Sequence, residues 1–220
     1  SLTIIQQIVA EILQVPLKDV SVERRAPGDA PIDAGSGASR VTHIVGQSTL
    51  RSSEKARETL ATMASEYLGC PADEVELVQG QFQERQRPDN AIAWSDLTAK
   101  VISGGSGLLE FTEIYKGHNP HEETFQAYVV DVEVDRDTGQ YKILQIQAVD
   151  EVGPILNPIN AEGQLQGGMM FGVGMATMEE IKLEDGRVTT VGLHDYKVPT
   201  IADVPPLRTD YITHGMGSGP

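Results

Sequence analysis

One cysteine, Cys70, occurs in the whole chain. This excludes an internal disulfide and any cysteine-held iron–sulfur or zinc cluster built from these residues alone, and makes a reducing, cytoplasmic compartment the expectation. Basic residues are also scarce. Lys and Arg number 17 against 32 Asp and Glu, a formal charge of −15, so neither nucleic acid nor an anionic membrane is expected as a partner, because phosphate polyanions are held by clustered cations. The one dense basic pair, Arg24-Arg25, reads as a solvated strand end. Long apolar runs are missing too: no window approaches ~18 uninterrupted apolar residues, so no membrane span is predicted, and no basic stretch precedes an apolar one at the first residues.

The common signatures of nucleotide and hydrolytic chemistry are absent as well. There is no G-x-x-x-x-G-K-[ST], and the nearest dinucleotide patterns, at Gly35 and Gly172, fail at the third glycine. No G-x-S-x-G elbow offers a serine nucleophile. His118, His121 and Glu122 in "GHNPHEE" have a spacing that could hold a metal but no second ligand pair, and they read as a polar surface turn rather than a metal site. The tandem acids Glu122-Glu123, Asp150-Glu151 and Glu179-Glu180 read as solvated faces.

What is present is an α/β pattern. With 220 residues and 40% hydrophobic content, the chain is long enough for one large domain or two small ones. "SLTIIQQIVAEILQ" opens in helical period, with Ile4, Ile8, Ile12 and Val15 on one face. "DVSVERR" reads as a strand. A long helix is predicted from Gly46 or Gln47 to a stop at Gly69. "EVELVQGQF" reads as a strand, "SDLTAKVIS" as a short helix capped by Ser95, residues 104–107 as a glycine turn, and "LEFTEIYKG" as a strand. The clearest hairpin joins two β-rich runs through Asp137-Thr138-Gly139. A last helix, "INAEGQLQGGMMFGVGMATMEE", carries Leu165, Met169, Val173 and Met178 along one side. Leu13-x-x-Pro16-x-x-Asp19-Val20 and Leu68-x-x-Pro71-x-x-Glu74-Val75 echo one another and predict two helix, proline turn, strand units. The expected fold is α/β (α+β), helices packed on mixed sheets, divided into residues 1–115 and 116–220.

Two stretches ask for more than packing. Gly35 to Ser39 places several backbone N–H groups and two hydroxyls ahead of a helix, which suits either a tight structural turn or a cradle for phosphate oxygens. The glycines at 163, 167, 168, 172 and 174 each cost a helix roughly 1 kcal/mol relative to alanine. They fit either close packing on a neighbour or a flat ligand, with Gln164 or Gln166 offering an amide to a heterocycle edge.

"VDEVGPILNPINAEGQLQGGMMFGVGMATMEE" and "LHDYKVPTIADVPP", with the earlier "SLTIIQQIVAEIL" and "DAGSGASRVTHIVGQ", resemble the molybdopterin-binding large subunit of the xanthine dehydrogenase and aldehyde oxidase family over nearly the whole chain. The resemblance implies that Ser36, Gly37, Ala38, Ser39, Arg40 and Val41 wrap the phosphate-bearing part of the molybdenum cofactor, as molybdopterin or its dinucleotide, and that Gln164 contacts the pterin. It implies an oxidoreductase that hydroxylates an aldehyde or N-heterocycle carbon with oxygen from water and passes electrons to iron–sulfur centres and FAD in partner domains or subunits. The family's G-Q-G segment would stand just before Ser1, and its base glutamate just after Pro220. The expectation is therefore a piece with part of a cofactor cradle, no catalytic or metal-ligating residue, and no activity alone, which exposes apolar faces and tends to self-associate. The alternative is a structural module of the same fold that binds no cofactor. The family's "VDDVG" is "VDEVG" here, with Glu151 at the variant position, read as a mild surface change.

Overall fold

In the computed structural model, which describes residues 2–24, 26, 28, 35–37, 39–117 and 124–214, helix α1 (Leu2–Leu13) forms as its apolar period predicts and buries Ile4. Pro16 then opens a single 3-10 turn, Leu17–Asp19. Helix α2 (Val41–Leu68) packs along α1 and buries Gly46, Ser53, Ala56, Leu60, Ala64 and Leu68 down one side. It starts five residues ahead of the predicted Gly46. The β-branched run Val41–Val45 costs only tenths of a kcal/mol per residue as helix, and half-burial of those residues outweighs that preference. The stop is where glycine predicts it: Gly69 takes a left-handed φ of 68° and donates its N–H to the Ser65 carbonyl at 2.9 Å.

After Pro71 and a second 3-10 turn, Ala72–Glu74, three strands follow, β1 (Val75–Val78), β2 (Gln81–Glu84) and β3 (Arg87–Ala93), paired antiparallel in that order. The single strand predicted over residues 74–82 is thus a hairpin. Gln79 and Gly80 both hold positive φ, 49° and 76°, as a two-residue turn that matches strand twist requires. β3 runs straight into α3 (Trp94–Val101), whose N-cap is Ala93 with no side-chain bond, so the predicted Ser95 cap is not used. The Trp94 N–H bonds to Gly80 O at 3.0 Å, and this ladder contact fixes the helix start. The predicted turn at 104–107 is a continuation of α3 into a π turn, Ile102–Ser106, with Gly105 and Gly107 at positive φ.

Leu60, Ala64, Leu68, Val75, Phe82, Leu97 and Val101 form one core, with Phe82 and Leu97 wholly buried. Beside it, buried Glu84 accepts from Arg87 Nε at 2.8 Å and from Asn90 Nδ2 at 2.8 Å, and Asn90 also donates to the Leu68 carbonyl at the end of α2. Those bonds hold the Glu84 carboxyl below the usual carboxylate range, the Arg87 bond most of all.

The two remaining predicted strands, "DVSVERR" and "LEFTEIYKG", pair with nothing among the described residues. Both are held by side chains instead, the first through Gln6 Nε2 to Val20 O at 2.8 Å, the second along α2. The two echoed units therefore share their helix end and proline-led 3-10 turn, and only the second continues into a strand.

The packing divides the chain into two units, residues 1–118 and 119–219. In the second, β4 (Phe125–Val134) and β5 (Tyr141–Glu151) form the predicted hairpin, with Gly139 at φ 73° and the Asp135 carboxylate accepting from the Asp137 and Thr138 amides. Helix α4 (Pro158–Thr177) lays Leu165, Met169 and Val173 on Ile146 and Ala148 of β5. Met178, predicted on the same side, lies past the helix end at the C-cap. A small hairpin of β6 (Leu183–Glu184) and β7 (Arg187–Val188) follows, and β8 (Leu207–Ile212) returns parallel to β5. The architecture is helices on antiparallel and mixed sheets, the predicted α+β class. No helix among the described residues is long and apolar enough to cross a membrane.

Candidate functional site

Residues 35–37 and 39–41 lie at the approach to α2. Gly35 and Ser39 hold positive φ, 77° and 53°. The Arg40 N–H bonds back to Gly37 O at 3.2 Å, and the Arg40 carbonyl accepts the first helical bond, from Ile44 N at 2.9 Å. Ser36, Gly37, Ser39 and Arg40 are exposed, and Val41 is half-buried as the first helical residue. Ala38 lies outside the described residues. Arg40 occupies the N-cap position of this helix and makes no capping side-chain bond. Asn157, by contrast, caps α4 by accepting from Asn160 N at 3.0 Å. The first-turn N–H groups of a 28-residue helix thus stand beside exposed hydroxyls and one guanidinium. Gly37 is exposed, and a Cβ built on it meets nothing within 4 Å among the described residues. The residues fit a phosphate-like anion, because unpaired helix amides and the helix dipole favour negative charge there.

A brace that the sequence reading did not single out holds these turns. The Tyr115 hydroxyl lies 3.4 Å from His43 Nε2, the two rings meet edge to face at 5.5 Å, and the Arg51 guanidinium sits 4.6 Å from the Tyr115 ring centre. Lys55 pairs with Glu113 at 2.6 Å. A Cβ on Gly117 would come within 3.0 Å of Ile44. The helical spacing of 43, 51 and 55 was readable in the sequence; the segment they grip was not.

Gln164 is exposed on the side of α4 away from the sheet, and its amide makes no hydrogen bond among the described residues. Gln166, the other candidate, is committed, donating to Glu162 Oε1 at 2.9 Å. Gly163, Gly167, Gly168 and Gly172 face open space, whereas a Cβ on Gly174 would strike the Glu179 carboxylate and the Pro199 ring. Close packing within this chain accounts for one of the five glycines.

The acid pairs need correction. Asp150 is 5% exposed, with Oδ2 bonded to Gln126 Nε2 at 3.1 Å and Oδ1 buried without a partner. Burial raises its carboxyl above the usual range against the smaller effect of the Gln126 bond. A strand places alternate residues on the core face, and Asp150 follows Ile146 and Ala148 in that alternation. Glu179 accepts from the Tyr196 hydroxyl at 2.6 Å. His118, His121, Glu122 and Glu123 lie outside the described residues, among which no cluster of three or more ligating side chains could hold a metal.

The family model of the molybdopterin cofactor-binding domain matches residues 1–205. The chain belongs to that family. A putative xanthine dehydrogenase molybdenum-binding subunit of Escherichia coli K12 is 32% identical over 217 residues, 96% of this chain and 29% of that protein. The gamma subunit of the 6-hydroxypseudooxynicotine dehydrogenase complex of Paenarthrobacter nicotinovorans is 30% identical over 210 residues, 92% of this chain and 26% of that protein. Among solved structures, the Cu,Mo-CO dehydrogenase in its carbon-monoxide-reduced state superposes with a TM-score of 0.84 at 26% identity, covering 96% of this chain and 27% of its own. This member of the molybdopterin cofactor-binding domain family spans between a quarter and a third of the length of the relatives it matches.

Proposed function

We propose that these residues supply part of the cofactor seat of a molybdenum hydroxylase, an oxidoreductase acting on an aldehyde or N-heterocycle carbon. Ser36, Gly37, Ala38, Ser39, Arg40 and Val41 hold the phosphate part of the cofactor, in its molybdopterin or dinucleotide form, and Gln164 reads the edge of the pterin. The carrying observation is the start of α2, whose N-cap residue Arg40 makes no capping bond, behind the exposed, side-chain-free Gly37. The cofactor, when bound, supplies the redox and oxygen-transfer chemistry. The chain's own part is to bind and orient: backbone amides and hydroxyls fix the anionic end, Arg40 adds one positive charge, and the His43, Tyr115 and Arg51 brace keeps the first helical turns in place.

Within the reading, residues 1–115 carry the phosphate loop, residues 116–220 the pterin contact, and the 220 residues alone are inert. The Paenarthrobacter relative is the gamma subunit of a dehydrogenase complex, which supports a multi-subunit setting, and electron transfer onward to iron–sulfur and flavin partners belongs to the same proposal.

Gly37→Val tests the assignment in the intact large subunit. The glycine's Cβ position is clear of protein atoms, so the variant keeps the fold and its circular dichroism melt. Its molybdenum and pterin content falls roughly tenfold or more, the effect of losing about 1.4 kcal/mol of binding. Full cofactor content in Gly37→Val contradicts the loop assignment. No cofactor in the wild-type subunit favours the structural module instead.

A further inference from the structure

We propose that the bare β4 side of the β4–β5–β8 sheet, with the Gly168 and Gly172 flank of α4 as its wall, seats a second α-helix contributed by the part of a large molybdenum subunit that these residues do not span. The inference rests on the function proposed above. One helix about 10 Å wide covers about two strands spaced 4.7–4.9 Å apart, and this sheet has three. α4 covers β5 and β8. Met170 joins the apolar cluster with Leu207 and Tyr211, and Glu162 reaches Thr209, so that flank of α4 lies over β8. The opposite flank, by helical periodicity, presents Ala161, Gly168 and Gly172 on the β4 side.

The floor there is apolar and open. Register places Tyr128, Val130, Val132 and Val134 on the face shared with Ala148, Ile146 and Ile143, and these four are 47–55% exposed. No β4 residue enters the cluster under α4. A Cβ on either Gly168 or Gly172 meets nothing within 4 Å, and two glycines four apart let a second helix backbone approach closely.

A buried polar pair lies beneath one end of the groove. Asp150 points to this same face and leans toward β4 through its bond from Gln126. Its Oδ1 is buried and unpartnered, and so is the hydroxyl of Tyr211, its register neighbour on β8. The occupant is therefore an amphipathic helix with aliphatic residues over the β4 valines and small residues against Gly168 and Gly172. The relatives have ample length to supply it, since this chain covers 26–29% of them.

A photo-crosslinking amino acid at Val132 in the intact large subunit tests the seat. The expected product joins residue 132 to one helical segment outside these 220 residues. A crosslink to a second copy of this chain, or no protein crosslink, overturns the proposal. Should that variant misfold, Val132→Cys in the native subunit is expected to react with maleimide about tenfold more slowly than in denatured protein, and Gly172→Leu to remove that protection; equal native and denatured rates overturn it. Molybdenum measured on the same samples separates the two readings. A protected Val132 in a metal-free wild-type subunit sinks the cofactor role alone, and an exposed Val132 in a molybdenum-loaded subunit sinks the helix seat alone.

Discussion

The first unit encloses its apolar core and the second leaves half of one uncovered. Phe82 and Leu97 are inaccessible between α2, α3 and the β1–β2–β3 meander, whereas all ten residues of β4 are exposed. Their buried carboxylates differ in the same sense. Glu84 is fully engaged by Arg87 and Asn90, while Asp150 keeps one buried oxygen without a donor. The first unit keeps one buried donor without a partner, Trp94 Nε1, and the second keeps two polar atoms, Asp150 Oδ1 and the Tyr211 hydroxyl, so apolar coverage separates the units more sharply than polar satisfaction does.

Truncating each core should give the largest contrast. Phe82→Ala is expected to lose about 3–5 kcal/mol, and Met169→Ala about 2 kcal/mol, because the second site borders an open groove into which neighbours can relax. Urea titration with unit-specific probes reads both; equal losses would erase the contrast. Acid should act next. The folded Glu84 carboxyl titrates below its unfolded value, so the stability it contributes is present above the ordinary carboxylate range and lost as pH falls through the lowered folded value. Melting of the first unit between pH 7 and 3 should therefore show an acid limb that Glu84→Gln flattens, with a melting temperature at pH 7 several degrees lower; an unchanged limb argues against the Arg87 and Asn90 network. Asp150 has the opposite sign. Its folded value is raised, so the ionised group costs stability once pH climbs past the ordinary carboxylate range, and that penalty is absent in acid. Asp150→Asn should stabilise the second unit by about 1 kcal/mol at pH 7 and make no difference near pH 3. A loss at both pH values would mean that Oδ1 has a partner after all.

Local chemistry made much of the fold legible. Gly69 stops α2, Gly139 turns the β4–β5 hairpin, and the Pro16 and Pro71 turns repeat because each depends on a few adjacent residues. Periodicity cannot tell a paired strand from an unpaired extended segment, which is why residues 19–25 and 109–117 read as strands in sequence. Nor could it show that half-burial would draw Val41–Val45 into a helix. At the site, the small-residue loop and Gln164 were visible as residue types. Asp150 was not, because a tandem acid looks like a surface feature until the alternation of β5 is known. His43 and Tyr115, 72 residues apart, meet only in the fold.

Whether the start of α2 is a phosphate cradle can be measured most directly by titrating the 220-residue chain with pyrophosphate while following backbone amide resonances. Saturable shifts confined to residues 35–43, and lost in Gly37→Val, are the predicted result. Shifts scattered over the basic side chains, or the same shifts in Gly37→Val, would contradict it.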